Sequence, residues 1–179
     1  VWPKRCGHMR GKRVVERDEW LAKLRAVVET RGARDFFLVA RTDARAAVDL
    51  DEAIARGQAA RDLGADAIFI EAPESIAELE RIARAIPGPK VANMVEHGKT
   101  PLLAPDELHD LGFDMIVTPV AGVLATAKAL ADTYAVLREY GTMRGDLEKL
   151  MPFDDFNELV GLEEKYEFER RFAASEEEE

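Results

Sequence analysis

The feature that most constrains this fold is a pattern repeated four times: a short apolar run, polar residues at its end, and an amphipathic stretch. The apolar runs cover residues 36–40, 67–70, 90–92 and 115–117. They recur at intervals of about 23 to 31 residues, which leaves room for one helix between successive strands. The apolar runs and their period predict four buried, parallel strands joined by right-handed helical crossovers.

Helices are predicted between the runs because apolar residues recur at helical spacing and the stretches end at glycine or proline. Gly64 and Gly112 end two helices in segments of similar sequence, where the backbone is expected to take a positive φ. Further amphipathic sequence follows the last strand. The predicted helical regions are residues 16–30, 50–63, 75–85, 105–111, 121–140 and 153–172.

The charge and hydropathy of the chain limit its partners. Its 179 residues carry a formal net charge of −10, and phosphate binding needs a basic surface, so nucleic acid is not expected as a partner. No apolar run approaches the roughly 20 residues that a membrane span needs. The basic, polar first 13 residues lack the apolar segment of a signal peptide. We therefore expect a cytoplasmic protein that does not act on membranes.

Four βα units can form a small open sheet or half of an eight-stranded barrel. The very apolar strands favour the half barrel, and a complete barrel of this type needs about 250 residues. The chain begins with Val1 rather than methionine and opens in a loop, so we expect an amino-terminal truncation. The predicted fold class is α/β: the carboxy-terminal half of a (β/α)8 TIM barrel, with carboxy-terminal helices added.

Three regions are predicted along the chain. Residues 1–140 hold an opening loop and four βα units, residues 141–173 form a helical extension, and residues 174–179 are a disordered acidic tail. The helices of the extension have no strand to cover. Their apolar faces therefore need another partner, and we expect a neighbouring subunit to supply it.

Candidate ligand-binding residues follow from the position of the polar side chains. In either architecture, ligands bind at the carboxyl ends of the strands. The rule selects polar residues that come at or just beyond the end of each apolar run: Arg41, Thr42 and Asp43, then Glu71, then Asn93 with Glu96 and His97 just beyond it, then Thr118. An arginine that can grip a carboxylate with two parallel hydrogen bonds, beside a glutamate, an amide and a hydroxyl, favours an acidic small-molecule ligand.

The single cysteine, Cys6, lies in a basic, glycine-containing loop. One cysteine excludes an internal disulfide, which leaves an inert or a reactive thiol. The neighbouring Lys4 and Arg5 favour the thiolate, but the pattern alone does not separate the two alternatives. The sequence also contains no glycine-rich phosphate loop of the P-loop or dinucleotide type.

Four segments, in their order and spacing, resemble the isocitrate lyase and phosphoenolpyruvate mutase superfamily. They are KRCGH at residues 4–8, ARTDA at 40–44, IEAP at 70–73, and NMVE at 93–96 followed by GKTP at 98–101. The likeness is strongest to the branch that includes 2-methylisocitrate lyase and dimethylmalate lyase. It covers most of the chain, and the five-residue cysteine motif is its most specific part.

The resemblance implies a (β/α)8 barrel whose last helices exchange between subunits in a homodimer or homotetramer. It also implies Mg²⁺, with ligands expected on earlier strands that this chain does not contain. By the same resemblance, Cys6 is the catalytic thiol of an active-site gating loop and His8 belongs to its motif. Arg41 is then the substrate-carboxylate arginine, with Glu71, Asn93 and Thr118 lining the pocket.

The function that the resemblance implies is a carbon–carbon lyase. It would cleave a 2-hydroxy di- or tricarboxylate of the 2-methylisocitrate or dimethylmalate type to pyruvate and a second carboxylate. The alternatives are a phosphonate-forming mutase of the phosphoenolpyruvate type, decarboxylation or hydrolysis of oxaloacetate, and a catalytically inactive fragment. Because the metal ligands are expected outside this chain, we expect the isolated 179-residue chain to be inactive.

Overall fold

The computed structural model describes residues 1–4 and 11–172. Strands and helices alternate through residue 140, and shorter helices follow. In chain order the elements are α1 (Arg17–Arg31), β1 (Val39–Thr42), α2 (Ala44–Ala47), α3 (Leu50–Asp62), β2 (Ala67–Ile70), α4 (Ile76–Ala85), β3 (Val91–Asn93), α5 (Pro105–Asp110), β4 (Met115–Val117), α6 (Ala121–Tyr140), a 3-10 turn (Leu147–Lys149), α7 (Phe153–Leu159) and α8 (Leu162–Phe172).

The four strands are parallel and lie in the order of the chain. β1 pairs with β2 so that Val39 lies opposite Ala67, and β3 pairs with β4 so that Val91 lies opposite Met115. A parallel bridge between Ile68 and Lys90 joins the two pairs. Sequential order with crossovers of one hand places the helices on one side of the strands, which is the arrangement of a barrel wall.

The turns that set this repeat are encoded locally. Gly64 and Gly112 end α3 and α5 with φ values of 102° and 92°, as predicted, and such values favour glycine. At the other ends, the Asp49 side chain accepts a hydrogen bond from the Glu52 amide, and the Ser75 hydroxyl accepts one from the Glu78 amide. The starts of α3 and α4 and the ends of α3 and α5 therefore lie close to the predicted residues.

The predicted start of the first strand was wrong. β1 begins at Val39, and the rings of Phe36 and Phe37 are 57% and 55% exposed. The ladder starts only where the Leu38 carbonyl accepts the amides of Asp66 and Ala67. Arg41 and Thr42 are consequently the last two residues of the strand instead of following it, and the short helix α2 was not predicted.

The core lies between the strands and the helices α3 and α4. Ile68 of β2 and Leu79 and Ile82 of α4 are fully buried, together with Ile86 after that helix. α3 approaches so closely that a Cβ atom on Gly57 would lie 2.5 Å from the Ile86 side chain. This packing holds the carboxyl ends of β1 and β2 in fixed positions.

The chain divides into two compact units, Val1–Ala125 and Thr126–Glu179. The buried hydrophobic residues belong to the first unit, and no described residue of the second is buried. β4 was predicted as a buried strand, but its three residues are each about 40% exposed. Within residues 1–4 and 11–172, no helix is both long and apolar enough to cross a membrane.

Candidate active site

Three of the four predicted pocket residues meet at the carboxyl ends of neighbouring strands. Arg41 is the last residue but one of β1, Glu71 directly follows β2, and Asn93 ends β3. The amide of Glu71 donates to the Thr42 carbonyl at 3.0 Å, which continues the pairing of β1 with β2 one residue further. Strand register therefore brings these side chains together, as the position of the polar residues predicted.

Glu71 is the centre of this cluster. Its side chain is only 1% exposed, and the Asn93 amide nitrogen donates to its two carboxylate oxygens at 3.2 and 3.3 Å. The Arg41 guanidinium approaches the same carboxylate at 3.4 Å and is 36% exposed. A buried carboxylate is thus compensated by an amide and a cation, while the arginine keeps access to a ligand.

The Asn93 side chain presents one unused acceptor. Its Oδ1 atom is buried and has no hydrogen-bond partner among the described residues. The amide nitrogen of Asn93 already donates to Glu71. The Oδ1 atom can only accept a hydrogen bond, so a hydroxyl group or a water molecule is a suitable donor to it.

A second carboxylate, Asp43, lies on the other side of Arg41. Its oxygens accept from Arg41 Nε at 2.9 Å and Nη2 at 3.3 Å, and Lys12 Nζ lies 3.3 Å from Oδ2. The guanidinium also lies over the Phe69 ring, 4.9 Å from its centre. Burial by itself would raise the pKa of Asp43, but the hydrogen bonds and charges of Arg41 and Lys12 outweigh burial and lower that pKa.

A cavity of about 240 Å³ opens beside this cluster. Among the residues that the structure describes, five basic side chains and one acidic one line this cavity, and this excess of positive charge favours an anion. The basic residues are Lys4, Lys12, Arg13, Arg41 and Arg56, and the acidic residue is Asp43.

The remaining predicted residues have different outcomes. Thr118 follows β4 and is exposed, one position beyond the register partner of Asn93. No contact joins it to Arg41, Glu71 or Asn93 within the described part of the chain. Cys6 and His8 lie outside the described residues, so their roles stay predictions.

The sequence analysis selected Asp43 at the end of the first apolar run but missed Lys12. Asp43 also follows Arg41 by two positions, and side chains at that spacing share a face of a strand. The ammonium group of Lys12 had no comparable signal. Its contact with Asp43 spans 31 positions in the sequence.

The described residues do not fit a magnesium site. No group of three or more His, Cys, Asp or Glu side chains that could hold a metal occurs in residues 1–4 and 11–172. The two carboxylates of the cluster already face cations, Glu71 through Arg41 and Asp43 through Arg41 and Lys12. Mg²⁺ takes several oxygen ligands in an octahedron, and this cluster does not offer them.

The sequence of this chain is similar to those of known proteins over most of its length. The sequence profile described as phosphoenolpyruvate phosphomutase matches residues 5–138. The petal death protein of Dianthus caryophyllus is 48% identical over 172 residues, which are 96% of this chain and 54% of that protein. The 2,3-dimethylmalate lyase of Eubacterium barkeri is 44% identical over 173 residues, 97% of this chain and 60% of that protein.

Solved structures also superpose on nearly the whole of this chain. Oxaloacetate acetylhydrolase in complex with the inhibitor 3,3-difluorooxalacetate superposes with a TM-score of 0.85 at 35% identity, over 99% of this chain and 60% of that chain. A phosphonopyruvate hydrolase in complex with oxalate and Mg²⁺ superposes with a TM-score of 0.76 at 26% identity, over 97% of this chain and 60% of that chain.

Four sequential parallel βα units with a charged cluster at their carboxyl ends define part of a (β/α)8 barrel, and the predicted fold class is confirmed. The chain belongs to the phosphoenolpyruvate phosphomutase family, within the isocitrate lyase and phosphoenolpyruvate mutase superfamily. The resemblance drawn from the sequence motifs is therefore confirmed. The chain spans about half the length of the curated relatives it matches.

Proposed function

We propose that this chain forms part of a carbon–carbon lyase acting on 2-hydroxy di- or tricarboxylates of the 2,3-dimethylmalate or 2-methylisocitrate type. The products would be pyruvate and a second carboxylate. The observation that carries the proposal is the half-exposed Arg41 guanidinium, held against the buried Glu71–Asn93 pair at the carboxyl end of the strands. The 44% identity to a 2,3-dimethylmalate lyase supports the same reaction class.

The proposed chemistry assigns a task to each residue. Arg41 binds a substrate carboxylate, and the unused Asn93 oxygen accepts a hydrogen bond from a water molecule in the site. A base removes the hydroxyl proton, the adjacent carbon–carbon bond breaks, and the released fragment leaves as a carboxylate-stabilised carbanion. Cys6 protonates that carbanion as general acid, with His8 of the same motif beside it in the sequence.

Cofactor and assembly extend the proposal. We assign Mg²⁺ to the whole enzyme because a related phosphonopyruvate hydrolase contains it together with oxalate. Its ligands would come from outside the described residues, since these lack a metal-binding group. We further propose that the enzyme is a homodimer or homotetramer in the cytoplasm. Thr118 is proposed to line the substrate pocket. The isolated 179-residue chain is expected to be inactive.

Hydrolysis of oxaloacetate is the second candidate. The superposition on oxaloacetate acetylhydrolase at a TM-score of 0.85 favours it, because that enzyme also handles a small dicarboxylate. Product identity separates the candidates: the lyase releases pyruvate from a 2-hydroxy acid, whereas oxaloacetate hydrolysis releases oxalate. A phosphonate product would instead indicate the mutase reaction.

A chimera tests the proposal. This chain would replace the matching segment of the Eubacterium barkeri lyase, and products from 2,3-dimethylmalate, 2-methylisocitrate and oxaloacetate would be measured with Mg²⁺ present. We expect pyruvate from a 2-hydroxy acid and a loss of at least about 100-fold in Cys6→Ser, the size typical of a general acid. A folded chimera that cleaves none of the three substrates would overturn the proposal.

A further inference from the structure

Asp43 stands at the amino-terminal end of a helix but does not cap it. It precedes α2 with φ −101° and ψ 14°, and its carboxylate accepts no capping hydrogen bond from the helix. The Ala44 amide donates a hydrogen bond to the Thr42 hydroxyl at 3.3 Å. Asp49, in the same position before α3, accepts from the Glu52 amide at 2.7 Å, which is the ordinary use of such an aspartate.

The Asp43 carboxylate is directed to two cations instead. It accepts two hydrogen bonds from Arg41, through Nε and Nη2, and its Oδ2 also meets Lys12, whose side chain is only 6% exposed. The sparsely populated backbone conformation of Asp43 lies in the region where many active-site residues are found. The carboxylate is therefore withdrawn from helix capping and used on Arg41.

These contacts fix the plane of the Arg41 guanidinium. Asp43 binds the edge formed by Nε and Nη2, Glu71 lies 3.4 Å from Nη2, and the Phe69 ring lies against the face. The contact with Glu71 is the weaker of these two, because its 3.4 Å separation is longer than the 2.9 Å hydrogen bond from Nε to Asp43. An arginine side chain is long and flexible, so a carboxylate that accepts two hydrogen bonds from one edge of the guanidinium restricts its orientation.

We propose that Asp43 is the positioning residue of the site: it orients Arg41 for a ligand carboxylate and ties it to Lys12. The inference rests on the proposed function in one respect, namely that Arg41 binds a carboxylate. Asp43 acts through Arg41 and does not touch the substrate.

The test uses the chimera described above, with Mg²⁺ present and ¹⁵N-labelled arginine, and its variant Asp43→Asn. The asparagine keeps the shape but removes the charge, and α2 loses no cap, so the variant is expected to fold. We expect the Nε proton of Arg41 to exchange with water about tenfold faster, and the affinity for oxalate to fall about tenfold. Asp43→Glu, which restores the charge, should recover part of both.

The matched control is Glu78→Gln, which removes another carboxylate from an arginine near the strand ends. Glu78 accepts from Arg45 at 2.6 and 2.8 Å and makes no contact with Arg41, so Arg41 exchange and oxalate affinity should not change. Unchanged Arg41 exchange in Asp43→Asn would overturn the inference, as would faster exchange without weaker oxalate binding. If the parent chimera fails to bind oxalate while Arg41 exchange responds as expected, the proposed ligand class fails and the positioning of Arg41 stands.

Discussion

At the scale of single residues, the cluster depends on how a buried carboxylate is compensated. Glu71 is nearly inaccessible to solvent, and a charge in that position is costly unless it is paired and hydrogen-bonded. Asn93 supplies hydrogen bonds and Arg41 supplies charge. These three residues could be predicted from the sequence because each stands where an apolar strand ends. The contact between Asp43 and Lys12 could not be predicted, because these residues lie 31 positions apart in the sequence.

Asn93→Ala is expected to destabilise the chain by about 1 to 3 kcal/mol. The substitution removes both amide hydrogen bonds to Glu71 and leaves a buried charge with one fewer partner. Urea denaturation followed by circular dichroism measures the effect. Asn157→Ala provides the control, since Asn157 lies on α7 in the other unit and should change the free energy of unfolding by less than about 0.5 kcal/mol.

A stability loss of 0.5 kcal/mol or less in Asn93→Ala would contradict the compensation described for Glu71. It would mean that the carboxylate finds another partner when the amide is removed.

Stability is expected to fall as the pH drops from about 4.5 to about 2 because of Glu52. Arg17 hydrogen-bonds its carboxylate, and this bond, with help from Arg56 and against the effect of burial, lowers the pKa of Glu52 from 4.5 to about 2. The folded state therefore holds this proton less tightly than the unfolded state. The charged Glu52 carboxylate contributes its full stabilisation at pH values above its pKa in the unfolded state. This contribution is lost as the pH falls through its pKa in the folded state.

Glu52→Gln checks this prediction. At pH 7 we expect a loss of about 1 to 2 kcal/mol, reduced from the full linkage value because Arg17 is largely exposed to solvent. The difference from the parent chain should shrink as the pH approaches 2. Glu19→Gln, which removes an exposed pair with Lys23, should have little effect at any pH. A difference that stays constant between pH 7 and pH 3 would contradict the assigned cause.

At the scale of secondary structure, period and turn residues predicted most elements, and long-range pairing decided the rest. β2, β4 and α6 have their predicted bounds because glycine or proline flanks each apolar segment. The start of β1 differs because hydrogen bonds to the 66–67 segment determine where its ladder begins. Phe36 and Phe37 are typical strand residues, but local propensity does not report whether a neighbouring strand is present at their level.

Gly57→Ala is expected to destabilise the chain by about 1 to 3 kcal/mol, although alanine favours a helix by about 1 kcal/mol. The added Cβ would lie 2.5 Å from Ile86 Cδ1 and 3.1 Å from Ile68 Cγ2, and both side chains are fully buried. Gly122→Ala in α6 is the matched control. Within residues 1–4 and 11–172, no atom apart from its chain neighbours and the backbone of its own helix lies within 4 Å of its added Cβ, so this change should be neutral or stabilising.

Urea melts of the two glycine variants measure the difference directly. If Gly57→Ala were as stable as Gly122→Ala, the close packing of α3 against Ile68 and Ile86 would be wrong.

At the scale of the whole molecule, the sequence predicted a parallel βα repeat and part of a barrel, and both are confirmed. It predicted uniformly buried strands, which β4 does not satisfy. The burial of a strand depends on which other elements pack against it, and the strand's own sequence does not specify those elements. The apolar sequences of β2 and β4 are alike, yet Ile68 is 1% exposed and Ile116 is 37% exposed.

Hydrogen exchange is expected to separate the two units. Amides in residues 67–86 should exchange about 1,000-fold more slowly than those in residues 147–172, after correction for intrinsic rates. The first segment contributes fully buried side chains, whereas the second contributes none among its described residues. Mass spectrometry of peptides after timed exchange measures both. Equal protection would mean that another surface covers the second unit in solution.

The placement of the cluster has a consequence for how such proteins diverge. Arg41, Glu71 and Asn93 stand at the ends of three different strands, and each is followed by a separate connecting segment. Evolution can therefore alter one connecting segment at a time and leave the contacts among these three side chains intact. A lyase, an acetylhydrolase and a phosphonopyruvate hydrolase, all of them similar to this chain, are what such stepwise exchange would produce.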